Sequence, residues 1–427
     1  MRARNVWFFL LVPAVAAAFF LSAVPVKAET VLTLWSHWAD HDSKRNFVED
    51  AARAFEATSP GVKVKVGWYE KTALYASLKT ALRAGQAPDI FYAEPNQVEY
   101  MENNLLYDLS KGLKWDSIEG WAKDVWSYKD GVYGFPLEAW TIELYYDKKL
   151  LAEMGFKLPP HGQFKQHEFL DLVKKTRAKG ITPISLGVGD RPYPGAFLTH
   201  EALLKKLGLE DYDKLLKGNL GWGNSRVVDA LRFVKQLIDA KALPSSFSTL
   251  KLGESHFYFH TKPGALMFLM GSFYPSRAFN PPDKGGQPLD FQLGIMQYPA
   301  LDDAVCNECK TITVGGSYVV NAASKNPEIA IKFLNSMATP EMGNKWLEAV
   351  LVQTGIKTDP SKIKGPYAEY FRELAKANEA NKYYTERPMT IMRGKAREVF
   401  TQVVNHAFPA GLLSVDEVVE KMNATQK

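Results

Sequence analysis

The chain is predicted to be an α/β protein of two doubly wound lobes with interwoven chain crossings, and three observations predict it. Its 427 residues exceed what one hydrophobic core usually serves, so two lobes with a cleft between them are expected. Strand-like and helix-like periods alternate along the whole chain, the pattern of helices covering a largely parallel sheet. No repeat, low-complexity tract or long linker separates the halves, so the lobes are expected to share the chain by crossing more than once.

The first element is not structural. Arg2 and Arg4 precede an apolar run from Val6 to about Leu21, and Val26, Lys27 and Ala28 supply the small residues of a cleavage site. This is the pattern of a secretory signal peptide removed after Ala28. An uncleaved anchor is the alternative for so long a run, and Pro13 and the small residues near Ala28 argue against it. Removal of residues 1–28 takes away Arg2, Arg4 and Lys27 and no acid, so the net charge falls from +5 to +2. That balance is no nucleic-acid footprint. The expected mature chain has no further run of membrane-spanning length and no early cysteine to carry a lipid. A periplasmic protein that is not a lipoprotein, and a monomer, is expected.

The mature chain opens on a strand over Val31–Trp35. Phe47, Val48, Ala51 and Phe55 then recur at helical spacing until Ser59, Pro60 and Gly61 stop the helix. Val62, Val64 and Val66 alternate as a strand; Leu74, Leu78, Ala81 and Leu82 mark a second helix; Asp89–Tyr92 resumes the sheet. Ile142, Leu144, Tyr145 and Tyr146 suit a buried strand, with Asp147 as cap of the next helix. Helices are expected near 169–178, 201–207 and 227–240, and a strand near 183–186. Strands over 311–314 and 318–321 follow, then a helix capped by Asn326 with Pro327 in its first turn. Ser414 and Glu417 form a capping box before a final helix.

Cys306 and Cys309 are the only two cysteines and are expected to bridge in an oxidising compartment. Closing so short a loop stabilises by about 2 kcal/mol, so the bridge is a local clip. No helical pattern follows Cys309 to lower a thiol pKa, which argues against a redox role.

The stretch GVYGFPLEAWTIELYYDKKLLAEMGFKLPP, residues 131–160, sets Glu138, Trp140 and Glu143 among apolar neighbours. Such polar groups are costly unless something hydrogen-bonds them, and a ligand is one candidate. The stretch resembles the inter-lobe crossing of the extracellular solute-binding proteins of ABC importers, the sugar-binding group that includes maltose-binding protein. Further matches keep the family's order. They are LTLW with His37 and Trp38, FEATSPGVKV (55–64), LRAGQAPDIFYAE (82–94), Tyr133–Pro136, PGALMFLMGSF (263–273) and the segment from Gly315 and Gly316 to Met337.

The resemblance implies the type II periplasmic binding protein fold. It assigns residues 29–137 and 318–375 to the N-terminal lobe, and 138–317 and 376–427 to the C-terminal lobe. It implies a small carbohydrate ligand, permease subunits of an inner-membrane ABC importer as partners, and no cofactor. Carried over by position, Glu138 matches a ligand-binding glutamate and Phe273 an aromatic that stacks on sugar, with Gly271, Ser272 and Tyr274 in the same loop. Asp190 and Tyr193 match a loop that contributes an acid and a tyrosine, with shifted spacing. The basic and aromatic loop Tyr383–Arg393 resembles a final contact region but lacks the tryptophan found there in maltose-binding protein.

Sugar recognition needs flat apolar faces and planar polar groups, because each buried hydroxyl loses a water partner. Trp38, Trp140, Phe273 and Tyr274 are the candidate faces, and His37, Glu94, Asn96, Glu138 and Ser272 the candidate hydrogen-bonding groups. Trp35 and Trp222 read as core. Glu138 has a structural alternative, pairing with a lysine, and Glu143 reads as a solvated residue. Gly315 and Gly316 suit a hinge or a close approach of ligand better than a phosphate cradle. The His37/His41 and His256/His260 spacings would chelate a metal only on a helix and with further ligands, so no metal site is expected. No catalytic residue is assigned: a glycoside hydrolase needs two carboxyls at a set separation, and no nucleophile turn or zinc helix is present. An acidic cluster of Glu94, Glu138 and Asp190 would suit an amino sugar, a polyol or a cationic solute such as a polyamine, which is the alternative to a neutral sugar.

Overall fold

The computed structural model describes residue 1 and residues 29–261, 264–385 and 388–426. Apart from Met1, the expected signal peptide lies outside the described residues, as do Pro263 and two positions of the segment 383–393. Among the described residues no helix is long and apolar enough to cross a membrane.

Two large sheets organise the described residues. The first has the strand order Val62–Trp68, Thr30–Ser36, Ile90–Ala93, Ser317–Val320, Gly134–Phe135. Its opening unit follows from the periodicity: helix Asp42–Thr58 buries Phe47, Val48, Ala51 and Phe55, and Thr30–Ser36 pairs in parallel with Val62–Trp68 from Thr30↔Val62 to Ser36↔Trp68. The second sheet runs Lys382–Tyr384, Cys309–Val314, Ala139–Asp147, Ala265–Gly271, Thr182–Ser185, with Leu293–Met296 also paired to Ala139–Asp147. Asp147 caps the next helix, its carboxylate accepting from the Lys149 and Leu150 amides. The Ser414–Glu417 capping box forms, and Cys306 and Cys309 are bridged, with Cα atoms 5.3 Å apart.

Neither sheet is largely parallel. Ser317–Val320 is antiparallel to both its neighbours, and Ala139–Asp147 to all three of its own. Parallel neighbours need a long crossover, whereas these strands arrive directly through short inter-lobe links. The links lie side by side. The Glu138 amide donates to the Gly316 carbonyl at 2.8 Å and the Gly315 amide to the Glu138 carbonyl at 2.7 Å. Gln353 lies against them, its carbonyl accepting from the Ala139 amide at 2.8 Å. Helix Ala368–Asn378, which spans the boundary expected at 375, packs on the second sheet, its Tyr370 hydroxyl 3.1 Å from that of Tyr145.

Two local expectations fail for identifiable reasons. Asn326 makes no side-chain cap; its amide turns toward Asp89, 3.5 Å away, which also accepts from Thr33 and Ser324. Glu143 is not solvated but fully buried, because residues 139–146 are buried without alternation. It accepts from Lys310 Nζ at 2.6 Å, Thr141 Oγ1 at 2.5 Å and Asn378 Nδ2 at 3.0 Å, which compensates the buried charge.

Candidate functional site

A cleft of about 770 Å³ opens at the crossings and is lined from both sheets. It is of the size that encloses a small organic ligand. One wall is aromatic. Trp140, at the start of the crossing strand, meets Phe273 edge-on with ring centroids 5.7 Å apart and Phe197 at 6.1 Å; Tyr193 extends the row, 5.9 Å from Phe197. Phe273 lies two residues past the strand Ala265–Gly271, and Tyr193 and Phe197 begin the helical segment after Thr182–Ser185, so each ring sits near a strand or helix end facing the crevice.

The other wall is polar, and two of its carboxylates are paired with lysines. Glu138 Oε2 accepts from Lys44 Nζ at 2.5 Å, and Glu94 from Lys71 Nζ at 2.8 Å and the Tyr92 hydroxyl at 3.0 Å. Both lysines lie in the first turn of a helix that follows a strand of the first sheet. Burial, followed by the nearby Lys71 and Lys44 ammonium groups, lowers the pKa of His37 to about 2, and burial and then Lys44 lower that of His41 to about 4. Burial lowers His200 to about 3; its Nδ1 meets the Tyr212 hydroxyl and its Nε2 meets Thr311 Oγ1, both at 2.5 Å. The His37 and His200 imidazoles are therefore neutral, and Glu138 and Glu94 are already paired with ammonium groups.

His37, Glu94, Asn96, Glu138, Trp140, Asp190, Tyr193, Phe273 and Gly315 all line this cleft. Six other candidates do not. Trp38 is fully buried in the first lobe's core against Tyr92, Tyr318 and Trp346. Gly316 packs so closely on Tyr92 and Trp38 that a Cβ would come within 2.6 Å of the tyrosine ring. Gly271 is a strand residue covered by the Phe273 ring. Ser272 is buried, accepting from the Thr141 amide at 3.0 Å and donating to Gln353. Tyr274 is core, its hydroxyl 3.0 Å from His260 Nδ1. Arg393 is exposed and donates to the carbonyls of Thr390 and Met392; its segment is a strand and a short helix, not one loop. For the five buried residues the cause is core packing, which turns them away from the cleft; Arg393 lies outside it at the surface.

Asp190 lines the cleft yet also accepts from the Leu252 amide at 2.7 Å, fixing the start of helix Leu252–His260. His37 lies beyond a strand end and His41 ahead of a helix, so their spacing is not helical. Among the described residues no group of histidines, cysteines and acids could hold a metal ion. Sequence reasoning missed Lys44, Lys71, Phe197 and Asn405. The lysines' position, just after strand ends of a doubly wound sheet, was the available signal; Asn405 carried none.

A family model described as bacterial extracellular solute-binding protein matches residues 50–356. A multiple sugar-binding protein of Streptococcus mutans is 26% identical over 135 residues, which span 31% of this chain and 31% of that protein. Among solved structures, one from work on xylan utilization by Caldanaerobius polysaccharolyticus superposes with a TM-score of 0.78 at 21% identity, covering 92% of this chain and 99% of the other. A chitin oligosaccharide binding protein gives a TM-score of 0.77 at 19% identity, covering 92% and 98%. These likenesses establish the shared fold.

Proposed function

Because this chain belongs to the bacterial extracellular solute-binding protein family, we propose that it captures a neutral sugar in the inter-lobe cleft and delivers it to an ABC-type import permease. The carrying observation is the cleft's composition: an aromatic wall of Trp140, Phe273, Phe197 and Tyr193 facing Glu138 and Glu94, each already paired with a lysine. Flat rings cover the C–H faces of a sugar, and paired carboxylates accept from hydroxyls without adding net charge. A polyamine or amino sugar would have to compete with Lys44 and Lys71 for these two carboxylates. The names of the similar proteins, which mention multiple sugars, xylan and chitin oligosaccharides, support the carbohydrate class.

The protein works in the periplasm as a monomer, after removal of residues 1–28, and no bond of the ligand is broken. With helix Ala368–Asn378 counted where it packs, the lobes are residues 29–137 with 318–367, and 138–317 with 368–427. Both lobes contact the ligand, and the closed state gains population in proportion to its differential affinity. A thermal-shift screen of the ligand-stripped protein against mono-, di- and trisaccharides, polyols, amino sugars and polyamines tests the reading. Saturation at 100 times the dissociation constant stabilises by roughly 2.7 kcal/mol. Stabilisation by a neutral sugar is expected; a response to polyamines alone, or turnover of a sugar polymer, refutes the proposal.

A further inference from the structure

Two carboxamides on the cleft walls leave an oxygen without a partner in the protein. Asn405 is 1% exposed, lines the cleft, and its Oδ1 is sealed from solvent without a hydrogen bond. Asn96, on the first-lobe side, lines the same cleft with its Oδ1 in the same condition. A buried amide oxygen left unsatisfied costs about 1–3 kcal/mol, so a partner that arrives later is the simplest physical reason for holding two of them at one cleft.

The backbone at Asn405 points the same way. Val403–Ala407 is a π-helical turn continuing helix Gly394–Gln402, and such turns are rare and concentrate at functional sites. The turn pushes the Asn405 carbonyl against Gly195, where a Cβ would approach that oxygen to 1.7 Å. Gly195 lies between Tyr193 and Phe197 of the aromatic wall, so the close contact locks the turn to the surface on which a sugar ring would lie.

We propose that Asn405 is a ligand-binding carboxamide which, with Asn96 from the opposite lobe, reads neighbouring hydroxyls of a sugar. This deepens the sugar reading and rests on it. A carboxamide offers an acceptor oxygen beside two N–H donors, and adjacent ring hydroxyls offer the complementary acceptor and donor. The terminal torsion of asparagine is broad and roughly two-fold, so half a turn presents either end to the ligand. Glu138 with Lys44 and Glu94 with Lys71 satisfy one another, whereas the oxygens of these two carboxamides are uncommitted. One carboxamide stands on each wall, so only a ligand that touches both gains both sets of bonds, and this is the differential contact that favours closure.

The test is calorimetric titration of the wild type, Asn405→Ala, Asn96→Ala and Gly195→Ala with chitobiose, xylobiose and xylotriose, together with the unfolding temperature of each unliganded protein. For a sugar that binds the wild type, Asn405→Ala and Asn96→Ala each lose roughly tenfold in affinity, the weight of one or two hydrogen bonds. Their unliganded unfolding temperatures hold or rise, because no bond within the protein is lost. Gly195→Ala, which keeps the amide but displaces the turn, also weakens binding. Unchanged affinity in Asn405→Ala overturns the inference and leaves the sugar reading standing. A fall in the unliganded unfolding temperature of Asn405→Ala also overturns it, by making the residue structural. Failure of the wild type to bind any sugar, including those of the thermal-shift screen, overturns both.

Discussion

Lys44→Met isolates the ion pair at the lobe junction. Lys44 and Glu138 are 2.5 Å apart, with side chains 8% and 13% exposed, so removing the ammonium leaves a carboxylate with little water to replace it. Breaking a buried pair from one side costs about 3–5 kcal/mol. Glu138 borders the cleft and regains part of its hydration there, so the lower end, about 3 kcal/mol, is expected. Methionine keeps the stem that packs beside Trp38, over whose ring Lys44 Nζ lies at 5.2 Å, so the loss reports charge more than volume. Adding Glu138→Gln removes the uncompensated charge and should restore most of the stability, giving a coupling of about 2 kcal/mol in a double-mutant cycle. Urea unfolding at neutral pH measures all four proteins. A Lys44→Met cost below about 1 kcal/mol, or strictly additive single changes, would show that Glu138 is not neutralised by Lys44.

Other expectations follow from the same geometry. Phe273→Ala removes one face of the aromatic wall and should weaken sugar binding by more than about tenfold, read by titration, with little change in the unliganded fold. Lys310→Met strands the fully buried Glu143 and should cost about 3–5 kcal/mol in urea unfolding, more than Lys44→Met, because no cleft water reaches it. His37, His41 and His200 have folded pKa values of about 2, 4 and 3, below the unfolded value near 6.5. The unfolded chain therefore binds protons that the native one does not, and stability falls as pH drops below about 6.5, by up to about 1.4 kcal/mol per pH unit for each histidine. Denaturant midpoints that stay level from neutral pH down to about pH 5 would contradict that sign.

Much of the fold could be read from the chain because local period and stop signals agree with it. Phe47 to Phe55 and the Ser59–Gly61 break delimit one helix, and Asp147 and Ser414 cap where their side chains suggest. The direction of the crossing strands was not legible, since periodicity is blind to parallel and antiparallel pairing. The site was legible at the start of the crossing strand, as with Glu138 and Trp140. It failed at immediate neighbours: Trp38 follows His37, and Ser272 and Tyr274 flank Phe273, yet each turns into the core. Loop proximity identifies a stretch; only packing decides which side chain of that stretch meets the cleft. Asn405 was out of reach because a π-helical turn leaves no mark in hydrophobic spacing.

Binding of a neutral sugar between the lobes is measured most directly as its affinity for the ligand-stripped protein at low and at high salt. Tight binding of a di- or trisaccharide, nearly independent of ionic strength, is expected, since such a ligand carries no charge to be screened. Binding restricted to cationic solutes, with affinity falling steeply as salt is added, would contradict it.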